Sequence, residues 1–146
     1  MKLFKNIRGG SLVEFACVAS VFLSLIFATF EIGFMLCITT GLEAGLYYGS
    51  RLGIIGSDTS KITSLIISEY SVYGLGTISS SNITMTAYPS ITDLNNNSNG
   101  KSGTGASGQY VLYSATYPYT FMTSYLMPGG TKKSITVNTV VKNEYY

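Results

Sequence analysis

The chain of 146 residues contains no histidine and no tryptophan, and it has only two cysteines. Without histidine, Ser-His-Asp catalysis, Cys-His catalysis and zinc sites of the HExxH type are excluded. Two cysteines without histidine cannot supply the ligands of a structural zinc site. The acidic residues are scattered along the chain and form no paired-carboxylate or calcium-loop motif. The sequence therefore predicts a protein that is not an enzyme and that holds no metal and no cofactor.

Charge is also scarce, at 11% of the residues, against about a quarter in an ordinary soluble protein. Three of the nine basic residues, Lys2, Lys5 and Arg8, lie in the first nine positions, which leaves six basic and seven acidic residues in the remainder. The only adjacent basic pair in that remainder is Lys132-Lys133. Since nucleic-acid binding needs a basic surface, no nucleic-acid partner is expected.

A long apolar run follows the basic residues. From Leu12 to Leu42 the chain is almost wholly apolar, and residues 15–30 are sixteen uncharged residues in a row. About 20 apolar residues span a bilayer core as a helix. The positive-inside rule places the basic N-terminus in the cytoplasm and residues 43–146 outside. A cleaved secretory signal is the alternative, but this run exceeds the usual 7–15 apolar residues and no A-x-A site ends it.

The junction between the basic segment and the apolar run carries a recognisable spacing. Gly9 and Gly10 end the basic segment, and Glu14-Phe15 follow inside the apolar run. This arrangement resembles the class III leader of type IV pilin-like proteins, and the Glu-Phe pair resembles the TadE/TadF branch of the tight-adherence (Flp-type) pilus system. The resemblance implies that a prepilin peptidase cuts after Gly9, or after Gly10. It also implies that Glu14 neutralises the free amino terminus of a neighbouring subunit, with Phe15 part of the recognised sequence.

Further segments carry the same resemblance at both ends of the chain, whereas residues 70–108 carry none. The segments that resemble the family are Phe30–Gly33, Gly41–Gly45, Gly49–Arg51, Tyr117–Phe121 and Val140–Glu144. The resemblance implies a minor pseudopilin of the cytoplasmic (inner) membrane that bundles with other pilin-like subunits and contacts lipid. The alternative function is a single-span membrane protein whose periplasmic domain binds a ligand or a partner.

Small residues recur at every fourth position in and beyond the apolar run. They include a row of glycines, hereafter the glycine row: Gly33, Gly41, Gly45, Gly49 and Gly53. Such rows let helix backbones approach closely, so we expect one helix over residues 10–53, about 65 Å long, with the row as a packing face. The alternative is that the glycines break the helix. For Glu31, the sequence leaves open a contact between helices and a solvated acid at the membrane interface.

Residues 54–146 predict a small α+β domain outside the membrane. Caps and helical spacing indicate a short helix from about 59 to 72. Three rows of alternating apolar residues, near 83–87, 111–121 and 135–141, predict a half-buried antiparallel sheet of three to four strands. Residues 95–108 are expected to form a mobile polar loop. The Gly100-Lys101-Ser102 sequence in this loop lacks the upstream glycine of a phosphate loop, so no small-molecule substrate is evident.

Overall fold

The fold is a long N-terminal helix that carries a small α+β domain on its C-terminal half. The computed structural model of the chain describes residues 7–73, 76–122 and 132–144, with the backbone alone for residues 7–9. Helix α1 runs from Ile7 to Ile54 as one α-helix of 48 residues, about 72 Å long. It covers the predicted residues 10–53 without a break, so the alternative in which the glycines interrupt the helix is wrong. The predicted α+β fold is confirmed.

A glycine turn ends α1 and reverses the chain. Gly56 has a φ of +77°, which suits a residue without a Cβ. The Gly56 amide donates to the Gly53 carbonyl at 3.0 Å and the Ser57 amide donates to the Leu52 carbonyl at 3.2 Å, the pattern of a Schellman C-cap. Helix α2 (Thr59–Tyr73) then runs back along α1. This is the helix expected from about 59 to 72.

Four antiparallel strands form one sheet in the order β2-β1-β3-β4. Their bounds are β1 (Ile83–Tyr88), β2 (Lys101–Ser102), β3 (Tyr110–Thr120) and β4 (Lys132–Lys142). The three predicted rows of alternating residues coincide with β1, β3 and β4, and the apolar members of each row face the core. In β3, for example, Val111, Tyr113 and Ala115 are fully buried.

The core of the domain lies where the C-terminal half of α1 meets α2 and the sheet. Helix α2 contacts the sheet through Tyr70, whose ring centroid lies 5.8 Å from that of Tyr117. Because α1 is part of this core, the domain is built on the helix and is not joined to it by a linker. The core is contributed by all of these elements, with these members among the most deeply buried: Ile38, Leu42, Leu46, Ile62, Ile66, Tyr70, Val111 and Tyr113.

The polar segment 95–108 is more regular than expected. A short helix, α3 (Ile91–Asn95), leads into it, and β2 pairs with β1 within it. Asp93 organises the turn between them, because its carboxylate accepts from Asn99 Nδ2 at 2.7 Å. Short polar side chains of this kind fix turns by bonding to their neighbours. The prediction of a loop without regular structure is therefore wrong for part of this segment.

Asn143, just after β4, ties the same segment to the sheet. It is buried, and its Nδ2 donates to the carbonyls of Thr104 at 2.8 Å and Ala106 at 3.2 Å. Replacing Asn143 by alanine removes both hydrogen bonds that tie these two carbonyls to the end of the sheet. We expect a loss of about 1–3 kcal/mol in the free energy of unfolding, measured by urea titration of the full chain in detergent micelles. Asn138→Ala is the control, because Asn138 is exposed on β4, the strand that precedes Asn143. An equal loss in both variants would contradict this role.

Candidate membrane and assembly site

The first half of α1 is bare. Of residues 10–30, hereafter the bare segment, only Ala19 and Ile26 are even half-buried, and the other residues are exposed around the whole circumference of the helix. The segment is about 30 Å long, which equals the thickness of a bilayer core. Within the part of the chain that the structure describes, α1 is the one helix long and apolar enough to span a membrane.

Three of the four hydroxyl groups of the bare segment bond to their own helix. Ser20 donates to the Cys17 carbonyl at 2.8 Å, Ser24 donates to the Ser20 carbonyl at 2.8 Å, and Thr29 donates to the Leu25 carbonyl at 2.9 Å. In lipid, a polar group without a partner is costly. These three side chains therefore suit a hydrocarbon environment.

Glu14 is the one charged residue of the bare segment. Its side chain is exposed, as is that of Phe15 next to it, at 73%. Among residues 10–73, 76–122 and 132–144, whose side chains the structure describes, none donates to the Glu14 carboxylate. The predicted cleavage position between Gly9 and Gly10 lies in the first turns of α1, and a Cβ added to Gly10 would meet nothing within 4 Å. Residues 1–6 of the predicted leader lie outside the described residues.

Glu31 marks the end of the bare segment. It is 2% exposed, and its Oε1 accepts a short hydrogen bond from the Tyr119 hydroxyl and a second one from the Met122 amide at 3.2 Å. Both alternatives considered for Glu31 are therefore wrong in this chain: it contacts the sheet of its own domain, and it is not solvated. The sheet begins to cover α1 at this residue, which is why the carboxylate is buried here.

The sequence placed Tyr119 in the buried row of β3 but did not pair it with Glu31. A buried carboxylate on an apolar helix needs hydrogen-bond donors. This requirement was the one signal in the sequence that pointed to a partner for Glu31. Three tyrosines of that row, Tyr113, Tyr117 and Tyr119, were equally good candidates. The choice depends on how β3 crosses α1, which is a contact between residues 88 positions apart.

The Tyr119 hydroxyl makes the stability of the domain depend on pH in the alkaline range. Burial and the Glu31 carboxylate raise the pKa of Tyr119 from 10.0 to about 12. Since the pKa is higher in the folded state, this contribution to stability is complete below pH 10 and is lost as the pH rises through about 12. We expect the free energy of unfolding to fall across that window, and to fall less steeply in Tyr119→Phe.

The control for this pH profile is Tyr73→Phe, because Tyr73 is 52% exposed. It should keep the full fall between pH 10 and 12. The Tyr119→Phe variant keeps part of the fall, because burial also raises the pKa of Tyr70 and Tyr113. A profile for Tyr119→Phe that matches the wild-type profile would contradict the assignment.

The glycine row divides into two parts. A Cβ at Gly45 would lie 2.8 Å from the Ile66 carbonyl oxygen, and one at Gly49 would overlap the Ile66 side chain. One at Gly53 would overlap the Tyr113 hydroxyl. The C-terminal part of the row, from Gly45 to Gly53, therefore packs against α2 and β3 of the same chain. By contrast, Gly33 is exposed and a Cβ there would meet nothing within 4 Å, whereas Gly41 is buried.

No family model, curated protein or solved structure matches this chain. The site therefore has to be interpreted from its own geometry. The geometry combines three features. The bare segment is long enough to span a membrane, Glu14 is exposed near its start, and the α+β domain is bonded to α1 just after its end through the buried Glu31.

An apolar cleft lies next to the contact between Glu31, Tyr119 and Met122. Its volume is about 360 Å³, and it is open on one side. The described residues that line it carry no charge: Phe34, Ile38, Gly76, Tyr117, Tyr119, Thr120 and Met122. In the described ranges, no three His, Cys, Asp or Glu side chains lie close enough together to hold a metal ion.

Proposed function

We propose that this protein is a pilin-like assembly subunit, a minor pseudopilin of a tight-adherence pilus. The observation that carries the proposal is Glu14, an exposed carboxylate with no donor in the described part of its own chain, on a helix segment of membrane length. The leader-like sequence around Gly9 and Gly10 supports it. The architecture supports it as well, because the bare segment is free on all sides for other helices.

The carboxylate requires a partner from outside the chain. A charge within the hydrocarbon costs about 2.5–3.5 kcal/mol at the helix centre and less near the interface, and an ion pair offsets this cost. A cut after Gly9 creates an ammonium at Gly10, about 6 Å along the axis from Glu14. A neighbouring helix displaced by about one turn brings its ammonium level with this carboxylate. In this arrangement Glu14 determines which helix binds next to it and how far that helix is displaced along the common axis.

In this proposal the protein crosses the cytoplasmic membrane once. The leader with Lys2, Lys5 and Arg8 faces the cytoplasm, where a prepilin peptidase removes it. The α+β domain lies on the opposite side and is carried on the outer half of α1. The partners are the peptidase, other pilin-like subunits and membrane lipid.

Glu14→Ala should abolish incorporation into pili while leaving the protein stable in the membrane. The variant loses the charge that pairs with a neighbouring amino terminus, but the bare segment becomes more apolar. Incorporation is measured as the amount of this chain recovered with sheared pili, relative to the amount in the membrane fraction. The mass of the mature chain separates a failure of cleavage from a failure of assembly.

Glu43→Ala is the matched control for this experiment. Glu43 is exposed on the same helix, but it lies beyond the bare segment. This variant should be incorporated normally. Normal incorporation of Glu14→Ala would refute the role given to Glu14.

The apolar cleft favours one alternative function, a single-span protein whose outer domain binds a ligand or a partner. Binding sites for small molecules usually add a few converging polar groups to an apolar lining. Here the lining offers Thr120 and the hydroxyls of Tyr117 and Tyr119, one of which is already bonded to Glu31. A full-length chain that still begins at Met1 in cells with an active prepilin peptidase would favour this alternative.

A further inference from the structure

The buried Glu31 fixes the height of the domain relative to the bilayer. The bare segment is as long as the bilayer core is thick, and it ends at Phe30. The next residue is covered by Tyr119 and Met122. Side chains at the level of this contact therefore lie in the layer of lipid headgroups, which adds about 5–8 Å on each side of the core.

The register of the sheet brings two lysines to the same level. Lys132 pairs with Thr120 and Lys133 pairs with Tyr119 across β3 and β4. Paired residues in antiparallel strands have their Cα atoms about 5 Å apart. Both lysines are exposed, and a lysine side chain can extend its ammonium toward the interface while its stem stays on apolar surface.

The same end of the domain exposes Met122, at 63%. Its backbone amide donates to Glu31, so Met122 lies at the contact that defines the headgroup level. An exposed apolar side chain at the same end of the sheet as two exposed lysines matches the composition of a surface that rests on a membrane.

We propose that the α+β domain docks on the bilayer surface through Lys132, Lys133 and Met122, with the two ammonium groups binding the phosphates of anionic phospholipid headgroups. The inference rests on the proposed insertion of α1 in the membrane. Docking would hold the domain upright over its own helix until the subunit leaves the lipid. The preference for anionic lipid follows from the two lysines, since attraction to an anionic membrane increases with each basic side chain at its surface.

A fluorescence experiment tests this docking. The full chain with Cys17 and Cys37 replaced by serine carries a fluorophore on Met122→Cys, in vesicles that contain lipid with a nitroxide on its headgroup. We expect at least twofold more quenching in vesicles with about 30% phosphatidylglycerol than in phosphatidylcholine alone. The excess should disappear in the Lys132→Gln/Lys133→Gln variant.

The control variant is Lys61→Gln/Lys101→Gln, which removes the same charge from two other exposed lysines. It should keep the excess quenching. Equal quenching in both lipids, or an excess that survives the loss of Lys132 and Lys133, would overturn the inference. The latter result would show that Lys132 and Lys133 do not provide the attraction to anionic lipid.

A second label separates this inference from the proposed membrane insertion. A fluorophore on Leu25→Cys, in the middle of the bare segment, should be quenched by nitroxides on the acyl chains. Quenching at position 25 without excess quenching at position 122 overturns the docking alone. The absence of quenching at position 25 overturns the insertion of α1, and the docking with it.

Discussion

Gly53→Ala is expected to destabilise the domain by about 1–3 kcal/mol. The added Cβ would overlap the hydroxyl of Tyr113, and Tyr113 is fully buried, so its ring has no room to withdraw. Helix propensity favours alanine over glycine and would by itself stabilise the variant. A loss of stability therefore reports the clash with Tyr113. Urea titration of the full chain in micelles, followed by the near-ultraviolet signal of the tyrosines, gives the free energy of unfolding.

The matched control is Gly33→Ala, the same change in the same helix at an exposed position with open space around it. This variant should gain up to about 1 kcal/mol from helix propensity. Tyr113→Phe provides a second test, because this hydroxyl is buried and has no hydrogen-bond partner among the described residues. Its removal should cost little and should partly restore Gly53→Ala. The same sign of effect at Gly33 and Gly53 would contradict the assigned packing.

Glu31→Ala is expected to detach the sheet from α1 at the membrane end of the domain. The Tyr119 hydroxyl then stays buried without an acceptor, and one such orphaned group costs about 1–3 kcal/mol. The Met122 amide loses the same acceptor. We expect lower stability together with faster amide exchange in the last residues of β3, measured by hydrogen–deuterium exchange with mass spectrometry.

Two further variants isolate the hydrogen bond from the charge. Glu31→Gln keeps an acceptor for Tyr119 and should retain more stability than Glu31→Ala. In a Tyr119→Phe background, Glu31→Ala should cost less than it costs alone, because the donor is also gone. The control Glu43→Ala should change neither stability nor exchange. Additive effects of the changes at 31 and 119 would show that the two side chains act independently.

The elements of this fold could be predicted because their signals are local. Helix α2 has apolar residues at helical spacing, and it lies at Thr59–Tyr73 where 59–72 was expected. The alternation in β1, β3 and β4 gave both the strands and their buried faces. The continuity of α1 followed from a run without proline, in which packing against α2 and β3 offsets the cost of the glycines.

The contacts between elements could not be predicted in the same way. The spacing of the glycine row indicated close packing, but the same spacing serves a neighbouring chain and the chain's own α2 equally well. Glu31 and Tyr119 are 88 residues apart, and no periodicity relates them. Asn143 was recognised only as part of a C-terminal pattern, because its partners, Thr104 and Ala106, lie in a segment without periodicity.

The mass of the mature chain tests the central proposal most directly. The intact protein is purified from the membranes of cells that have an active prepilin peptidase and of matched cells that lack it, and its N-terminus is determined by mass spectrometry. A pilin-like subunit should begin at Gly10 in the first cells and retain residues 1–9 in the second. A chain that begins at Met1 in both, or one cut between about residues 28 and 45, would contradict the proposal.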